Sequence, residues 1–308
     1  ASYLDISHPD IIQFLEMRKP TGDPNIRCLN LHHGVNITDD FMRIIEKSQI
    51  EKFDDTWDLI DPHTKKVVEK VSAKELWQKI LQMRNETGEP YIHYIDNTNN
   101  QRPNHLKEKN LFIRQSNLCT EILEPTDEER TAVCCLASLN LNHYYSWKDF
   151  YKQFIRDVVE FLDNTLEYFI QNAPPQISRA IFSAKQERSI GIGALGFHSL
   201  LQKNNISFES VAAKILNNEI FSNMRKFTDE ATIELGSIRG EAPDAKGTGR
   251  RNSLCLAIAP NASTSIIMQN TSPSGEPFTA NAYRQDTSSG FYLNKNRNLE
   301  LLLLKKKE

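Results

Sequence analysis

The chain has 308 residues, 39% hydrophobic and 25% charged, with a formal net charge of -3. This is ordinary globular composition, long enough for one large domain or two smaller ones. It lacks the basic bias of a nucleic-acid-binding surface, and no apolar run approaches the roughly 20 residues of a membrane-spanning helix.

Ala1 to Ile6 reads as a strand already in progress, so the chain is expected to begin inside a larger fold. Ser72-Ala73-Lys74-Glu75 is a capping-box pattern. It starts a helix that carries Leu76, Trp77, Ile80 and Leu81 on one face and ends at Thr87-Gly88. Tyr91 to Ile95 and Val133 to Leu141 read as strands. Ser146 opens a helix with Phe150, Phe154, Val158, Phe161, Leu162, Leu166 and Phe169 at three- and four-residue intervals, closed by Pro174-Pro175. Ser189 to Ile192 is a further strand, and a helix from about Ser210 to Leu235 stops at Gly236. Gly236 to Gly249 reads as a charged surface loop and Ser253 to Ala259 as a last strand. Short strands separated by long helices predict an α/β architecture with largely parallel strands. No repeat, low-complexity linker or domain boundary is evident.

Five cysteines, Cys28, Cys119, Cys134, Cys135 and Cys255, are an odd number in a long chain. That does not fit a secreted disulfide framework and points to a reducing cytoplasm. In Ser116-Asn117-Leu118-Cys119-Thr120-Glu121-Ile122, an extended backbone would place Asn117, Cys119 and Glu121 on one face. Leu118, Thr120 and Ile122 would anchor the other. A thiol flanked by an amide and a carboxylate is a candidate reactive site; a buried structural cysteine with two polar neighbours is the alternative. In Ala132 to Leu141 a strand turns the adjacent Cys134 and Cys135 to opposite faces, so at most one shares a site with Cys119. Neither a Cys-x-x-Cys spacing nor a nearby His supports zinc there.

Asn252 to Ile267 reads as a strand, a turn and a helix start rich in Asn, Ser and Thr. Backbone N–H groups, hydroxyls and the positive end of a helix dipole suit a phosphate; ordinary N-capping needs only one such residue. Gly191-Ile192-Gly193-Ala194-Leu195-Gly196 matches the dinucleotide-binding spacing. Polar residues precede it and a helix then Lys203-Asn204-Asn205 follow, so its glycines are read as tight backbone packing. Tyr144-Tyr145, beside a helix start, is read as packing.

Together these segments resemble the class I ribonucleotide reductase large (alpha) subunit. Ser116 to Ile122 is similar to that family's finger-loop motif. Cys134 occupies the first position of its Cys-x-Leu-x-x-x-Asn strand, which ends here at Asn140. Arg188 to Gly193, Ala259 to Thr264, Ser274 to Phe278 and Tyr283-Arg284 resemble further blocks, and the similarity runs from about Ala1 to Asn298. The resemblance implies an α/β fold, part of a ten-stranded α/β barrel with a central finger loop. Residues 1–308 would be a partial catalytic barrel domain lacking the family's N-terminal half and C-terminal end. It implies that Cys119 becomes a thiyl radical, Glu121 acts as base, Asn117 holds the substrate and Cys134 supplies electrons with a partner cysteine. Pro260, Asn261, Ala262, Ser263 and Thr264 would bind the substrate phosphate.

The resemblance also implies that this chain binds no metal or cofactor itself. The radical would come from a metal-containing small (beta) subunit, and ATP or deoxynucleotides would act as effectors. Partners would be complementary large-subunit chains and thioredoxin or glutaredoxin, with neither nucleic acid nor membrane among them. The location would be cytoplasmic, in the host if the chain is phage-encoded. A non-catalytic remnant or assembly protein of the same fold is a second reading, and an unrelated nicotinamide-dependent oxidoreductase a third.

Overall fold

The computed structural model describes residues 1–49, 53–287 and 290–306. They divide into two units, Ala1–Thr126 and Asp127–Glu308, at a place where the sequence shows no boundary signal. The joint, Glu124-Pro125-Thr126-Asp127-Glu128-Glu129, has none of the Gly/Ser content of a linker.

The first unit runs β1 (Ser2–Asp5), α1 (Ile11–Glu16), β2 (His33–Ile37), α2 (Asp39–Lys47), β3 (Thr56–Ile60), β4 (Val67–Ser72), α3 (Ala73–Thr87), β5 (Tyr91–Tyr94), α4 (Ile95–Gln101) and α5 (Asn104–Glu108). Strands β1, β2 and β5 form a parallel sheet in that spatial order, with Leu4, Val35 and Ile92 in register. Because side chains alternate across a strand, these residues and Ile37 share the face that packs on Leu15, Phe41, Leu76, Ile80 and Met83 of the first core. The opposite face carries Tyr3, Asp5, Gly34, Asn36, Tyr91 and His93. Helix α3 begins where its cap predicts: the Ser72 hydroxyl accepts from Glu75 N at 3.1 Å, and Gly88 ends the helix at φ 81°. Its buried face is Ala73, Leu76, Ile80 and Met83, whereas Leu81 is exposed. Strands β3 and β4 make an antiparallel hairpin without a sequence counterpart in the predicted elements.

The second unit runs β6 (Leu136–Asn140), α6 (Tyr144–Trp147), α7 (Tyr151–Asn172), α8 (Ser178–Glu187), β7 (Gly191–Leu195), α9 (Phe197–Lys203), α10 (Val211–Arg239), α11 (Thr264–Ile267), β8 (Ala282–Thr287), β9 (Gly290–Lys295) and α12 (Arg297–Lys305). Strands β6 and β7 are parallel. The expected strand at Ser253 to Ala259 is reduced to a parallel bridge, Ile192 with Leu256, yet it still bonds along β7: Ile190 N to Leu254 O at 2.9 Å and Ile192 N to Cys255 O at 2.9 Å. Leu139, Ile192 and Ala194 pack on Ile155 and Val159 of α7, Leu200 of α9, and Ile220 and Met224 of α10.

Two helices depart from the sequence reading. The buried stripe of α7 is Tyr151, Ile155, Val159, Leu162, Asp163 and Leu166: Leu162 and Leu166 face inward as read, but Tyr151, Ile155 and Val159 take the inner positions expected of their neighbours, and Phe161 is 65% exposed. Helix α10 runs through Gly236 to Arg239, with Gly240 N donating to Gly236 O at 2.9 Å; glycine is needed at 236 because Gly249 O sits where its Cβ would lie. The segment after it is a surface loop only in part: Lys246, Gly247 and Thr248 are exposed, but Ala242, Asp244 and Ala245 are buried.

The glycines of Gly191 to Gly193 pack as read. A Cβ on Gly191 would meet Leu136 and Ala257, and one on Gly193 would meet Ala257 O. They lie within β7, not in a loop after a strand, which removes the dinucleotide-binding alternative. Of the Tyr144-Tyr145 pair, Tyr144 is buried against Trp147 and Tyr151 as read, whereas Tyr145 is exposed. The described strands form four separate sheets and no closed barrel. No helix among the described residues is long and apolar enough to cross a membrane.

Candidate active site

The chain leading into the motif meets the polar face of the β1-β2-β5 sheet at Arg114 and Ser116. Its neck is fixed by Asn99 on α4, whose amide donates to Ile113 O at 2.8 Å and accepts from Ile113 N at 2.9 Å, replacing a strand partner. Asn36 on β2 then donates to Arg114 O at 3.0 Å, while its carboxamide also meets Asp5 and His93. Neither asparagine was singled out in the sequence. The only signal for Asn36 is a polar residue inside the apolar run Val35-Asn36-Ile37.

The motif itself is not extended, which corrects the expected alternation. Thr120 N donates to Asn117 O at 3.2 Å and Thr120 has φ 64°, so Asn117–Thr120 is a turn with Cys119 at its exposed tip. Of the three expected anchors only Ile122 is buried; Leu118 and Thr120 are exposed. Asn117 and Glu121 still come together, by a different route. The Asn117 amide nitrogen donates to Glu121 Oε2 at 2.7 Å, and its oxygen accepts from Ile122 N at 3.1 Å. Ser116 Oγ donates to Ile122 O at 2.8 Å and locks the base of the turn. Burial, and then the negative charge of Glu121, hold the Cys119 thiol above its ordinary range. At neutral pH the sulfur therefore keeps its hydrogen, the form from which a hydrogen atom can be removed. A buried structural cysteine is excluded by the exposure of Cys119.

In the second unit, Cys134 and Cys135 lie just before β6 and differ as expected for adjacent residues. Cys135 packs against the core and its carbonyl accepts from Gly191 N at 2.8 Å, whereas Cys134 is exposed. The segment Ala259 to Thr264 follows the opposite, carboxyl end of the ladder, where ligands commonly bind in α/β sheets. Asn261 adopts φ 53° and donates to Ala259 O at 2.8 Å and Ala194 O at 3.5 Å, tying the loop to the end of β7. Pro260, Ala262, Ser263 and Thr264 are exposed. The helix start predicted here is a single turn, α11, and Ser263 precedes it without a side-chain cap. Among the described residues no group of three or more His, Cys, Asp or Glu is placed to hold a metal ion.

Two buried charge clusters in this unit were not visible in the sequence. Asp163 on α7 meets Arg188 at 2.9 Å, Arg239 at 2.9 Å and Arg251 at 3.1 Å. Glu187 shares Arg130 with Asp244. Both bind one helix to distant chain and frame the β6-β7 ladder.

The barrel-domain family of ribonucleotide reductase matches residues 1–248 and 242–307. The chain is 48% identical to the ribonucleoside-diphosphate reductase large subunit of Invertebrate iridescent virus 3, over 98% of this chain and 56% of that protein. It is also 48% identical to the putative large subunit of Frog virus 3 (isolate Goorha), over 94% of this chain and 50% of the relative. Among solved structures, the class Id ribonucleotide reductase alpha subunit of Actinobacillus ureae superposes with a TM-score of 0.83 at 36% identity, covering 99% of this chain and 52% of that one. The chain thus spans about half the length of the curated relatives it matches. With its α/β fold, its ordered motifs and this match across both units, the chain belongs to the ribonucleotide reductase large-subunit family, within the barrel domain.

Proposed function

We propose that the chain carries the radical chemistry of ribonucleoside diphosphate reduction to deoxyribonucleoside diphosphates, which supplies precursors for DNA synthesis. The observation that carries this reading is the Asn117–Thr120 turn, which presents a protonated thiol beside an amide and a carboxylate already in contact at 2.7 Å. Cys119 gives up its hydrogen atom to an incoming radical, and the resulting thiyl takes the 3′ hydrogen of the ribose. Glu121 accepts the proton of the 3′ hydroxyl, and Asn117 exchanges its bond to Glu121 for one to the substrate. The 2′ hydroxyl leaves as water on taking a proton; Cys134 and a partner cysteine supply two electrons and two protons as they form a disulfide; and Cys119 returns its hydrogen atom to C3′, which regenerates the thiyl. The exposed loop Pro260-Asn261-Ala262-Ser263-Thr264 takes the phosphate, with Asn261 as its brace.

The reading extends to the whole enzyme of which such sequences are part. It uses a radical-generating, metal-containing small subunit, nucleotide effectors, and thioredoxin or glutaredoxin to restore the dithiol. Residues 1–308 contribute part of the barrel domain. Cys119→Ser tests it: serine is nearly isosteric, but its O–H bond is too strong to yield a radical readily. The reconstituted assembly carrying this variant is expected to fold normally and form no detectable deoxynucleotide. Wild-type turnover would overturn the assignment.

A further inference from the structure

Arg130 ends the charge run Asp127-Glu128-Glu129-Arg130, which reads as solvated surface, yet its side chain is only 9% exposed. Its Nη1 donates to Asp244 Oδ2 at 2.7 Å and its Nη2 to Asp244 Oδ1 at 3.5 Å, so the guanidinium grips one carboxylate with both prongs. Asp244 is itself buried, in the segment that follows α10. The guanidinium carbon lies 5.2 Å from the centre of the Phe182 ring on α8, and Nη1 lies 3.6 Å from the Glu187 carboxylate at the end of that helix. Arg130 is thus fixed on two parts of the fold that are remote from it in sequence.

The chain that Arg130 pins is the one that carries Cys134. Thr131 N donates to Arg179 O of α8 at 3.4 Å, a long bond. On the far side, Gly191 N donates to Cys135 O at 2.8 Å, and Cys135 packs on the core. Between these holds lie Ala132, Val133 and Cys134, and Cys134 is exposed. So short a stretch between two fixed ends has little reach, and its ends decide where the thiol stands. A buried ion pair often adds nothing to stability over well-packed apolar side chains of the same volume. A two-pronged grip does fix geometry, and that is what this strap needs.

We propose that Arg130 is a positioning residue for Cys134: its grip on Asp244 and Phe182 pins the upstream end of the Ala132–Cys134 strap and so sets the thiol for disulfide formation during turnover. This rests on the reading of Cys134 as one member of the turnover dithiol. With the grip lost, the upstream end hangs on the long Thr131 bond, and the thiol spends less time in the reactive geometry.

The test is a single turnover of the reduced, reconstituted assembly, with the Cys134 disulfide trapped by acid and quantified by peptide mass. In Arg130→Ala the rate of disulfide formation at saturating substrate is expected to fall by about tenfold, with half-saturation unchanged within about twofold. Arg130→Lys keeps a cation beside Asp244 and should recover part of the loss. Hydrogen exchange on the chain itself, which needs no turnover, should quicken at 131–136 in Arg130→Ala and stay unchanged along α9. Alkylation of the buried Cys255 monitors unfolding. If it rises in Arg130→Ala, Asp244→Asn decides in its place, with the same signs and a smaller loss. A wild-type rate, a Lys variant no better than Ala, or unchanged exchange at 131–136 would each overturn the proposal. Cys134→Ser is run alongside. Wild-type turnover there would sink the reading of Cys134, whereas its inactivity beside a wild-type rate in Arg130→Ala would sink the proposal alone.

Discussion

Glu187 is only 1% exposed and takes hydroxyl bonds from Ser183 at 3.0 Å and Ser189 at 3.4 Å. Arg130, 3.6 Å from it, is closer to Asp244, at 2.7 Å. Burial outweighs the Ser183 bond and Arg130, and with the nearby Asp244 charge it pushes the carboxyl from 4.5 up to about 7. A raised carboxyl means that the folded chain holds a proton the unfolded chain has released. Stability is then lost as pH climbs from about 4.5 to about 7 and is level above, where both states are ionised. Glu187→Gln should remove that slope, so the difference in unfolding free energy between wild type and variant is expected to change by about 2 kcal/mol across the window. Urea titrations at pH 5 and pH 7.5 measure it, and parallel behaviour of the two proteins would refute it.

The same reasoning about side-chain surroundings separates the adjacent cysteines. Cys135 packs on the core and Cys134 is exposed, so the turnover disulfide is expected at Cys134. Mapping the disulfides of the assembly after one substrate equivalent checks this, and a bridge at Cys135 would reverse the assignment.

At the level of elements, helix α7 packs through its apolar stripe and is tied to distant chain by the carboxylate within it. Asp163 meets Arg188 from the end of α8, Arg239 from α10, and Arg251 and Asn252 from the chain leading into the ladder. Burial pushes its carboxyl up, but Arg188 and Arg251 pull it down further, so it stays ionised below the ordinary range. Asp163→Ala leaves three guanidinium groups around a cavity and is expected to cost about 3–5 kcal/mol, the penalty of breaking a buried pair from one side. A denaturant titration reads this directly, and a loss below about 1 kcal/mol would show that water replaces the carboxylate without cost. Arg251 is followed at once by Asn252 to Ala259, so the same variant should also loosen the segment that delivers the Pro260 to Thr264 loop. Hydrogen exchange along 253–264 reports that effect.

At the scale of the whole molecule, the described strands form sheets of two or three, which leave open edges suited to further pairing. The relatives carry roughly as much sequence again as this chain matches. In the proposed chemistry, Cys134 is one member of a dithiol and the radical arrives from another subunit. The 308-residue chain assayed by itself with a dithiol reductant is therefore expected to make no deoxynucleotide. Activity is expected only when the remaining large-subunit sequence and a radical-generating small subunit are added. Repeated turnover by the chain alone would show that the chemistry has been misplaced.

What the sequence determined is what neighbouring residues decide among themselves. Ser72 and Ser210 cap their helices, Gly88 ends one, and Gly191 and Gly193 pack closely, because each rests on a short-range bond or on the missing Cβ itself. The grouping of Asn117, Cys119 and Glu121 was also legible, although alternation along a strand was the wrong reason for it. A turn closed by the Asn117–Glu121 bond brings two of them together and places Cys119 between them in the chain, at the tip. Tertiary structure alone decided the rest. Asp163 is buried within the stripe of α7 because the arginines that pair with it lie 25, 76 and 88 positions away in sequence. Gly236 is a packing glycine and not a helix stop, because Gly249 from another segment sits where its Cβ would lie. Such contacts fix a side chain's partner only once distant segments have packed, and no local pattern in the sequence records them.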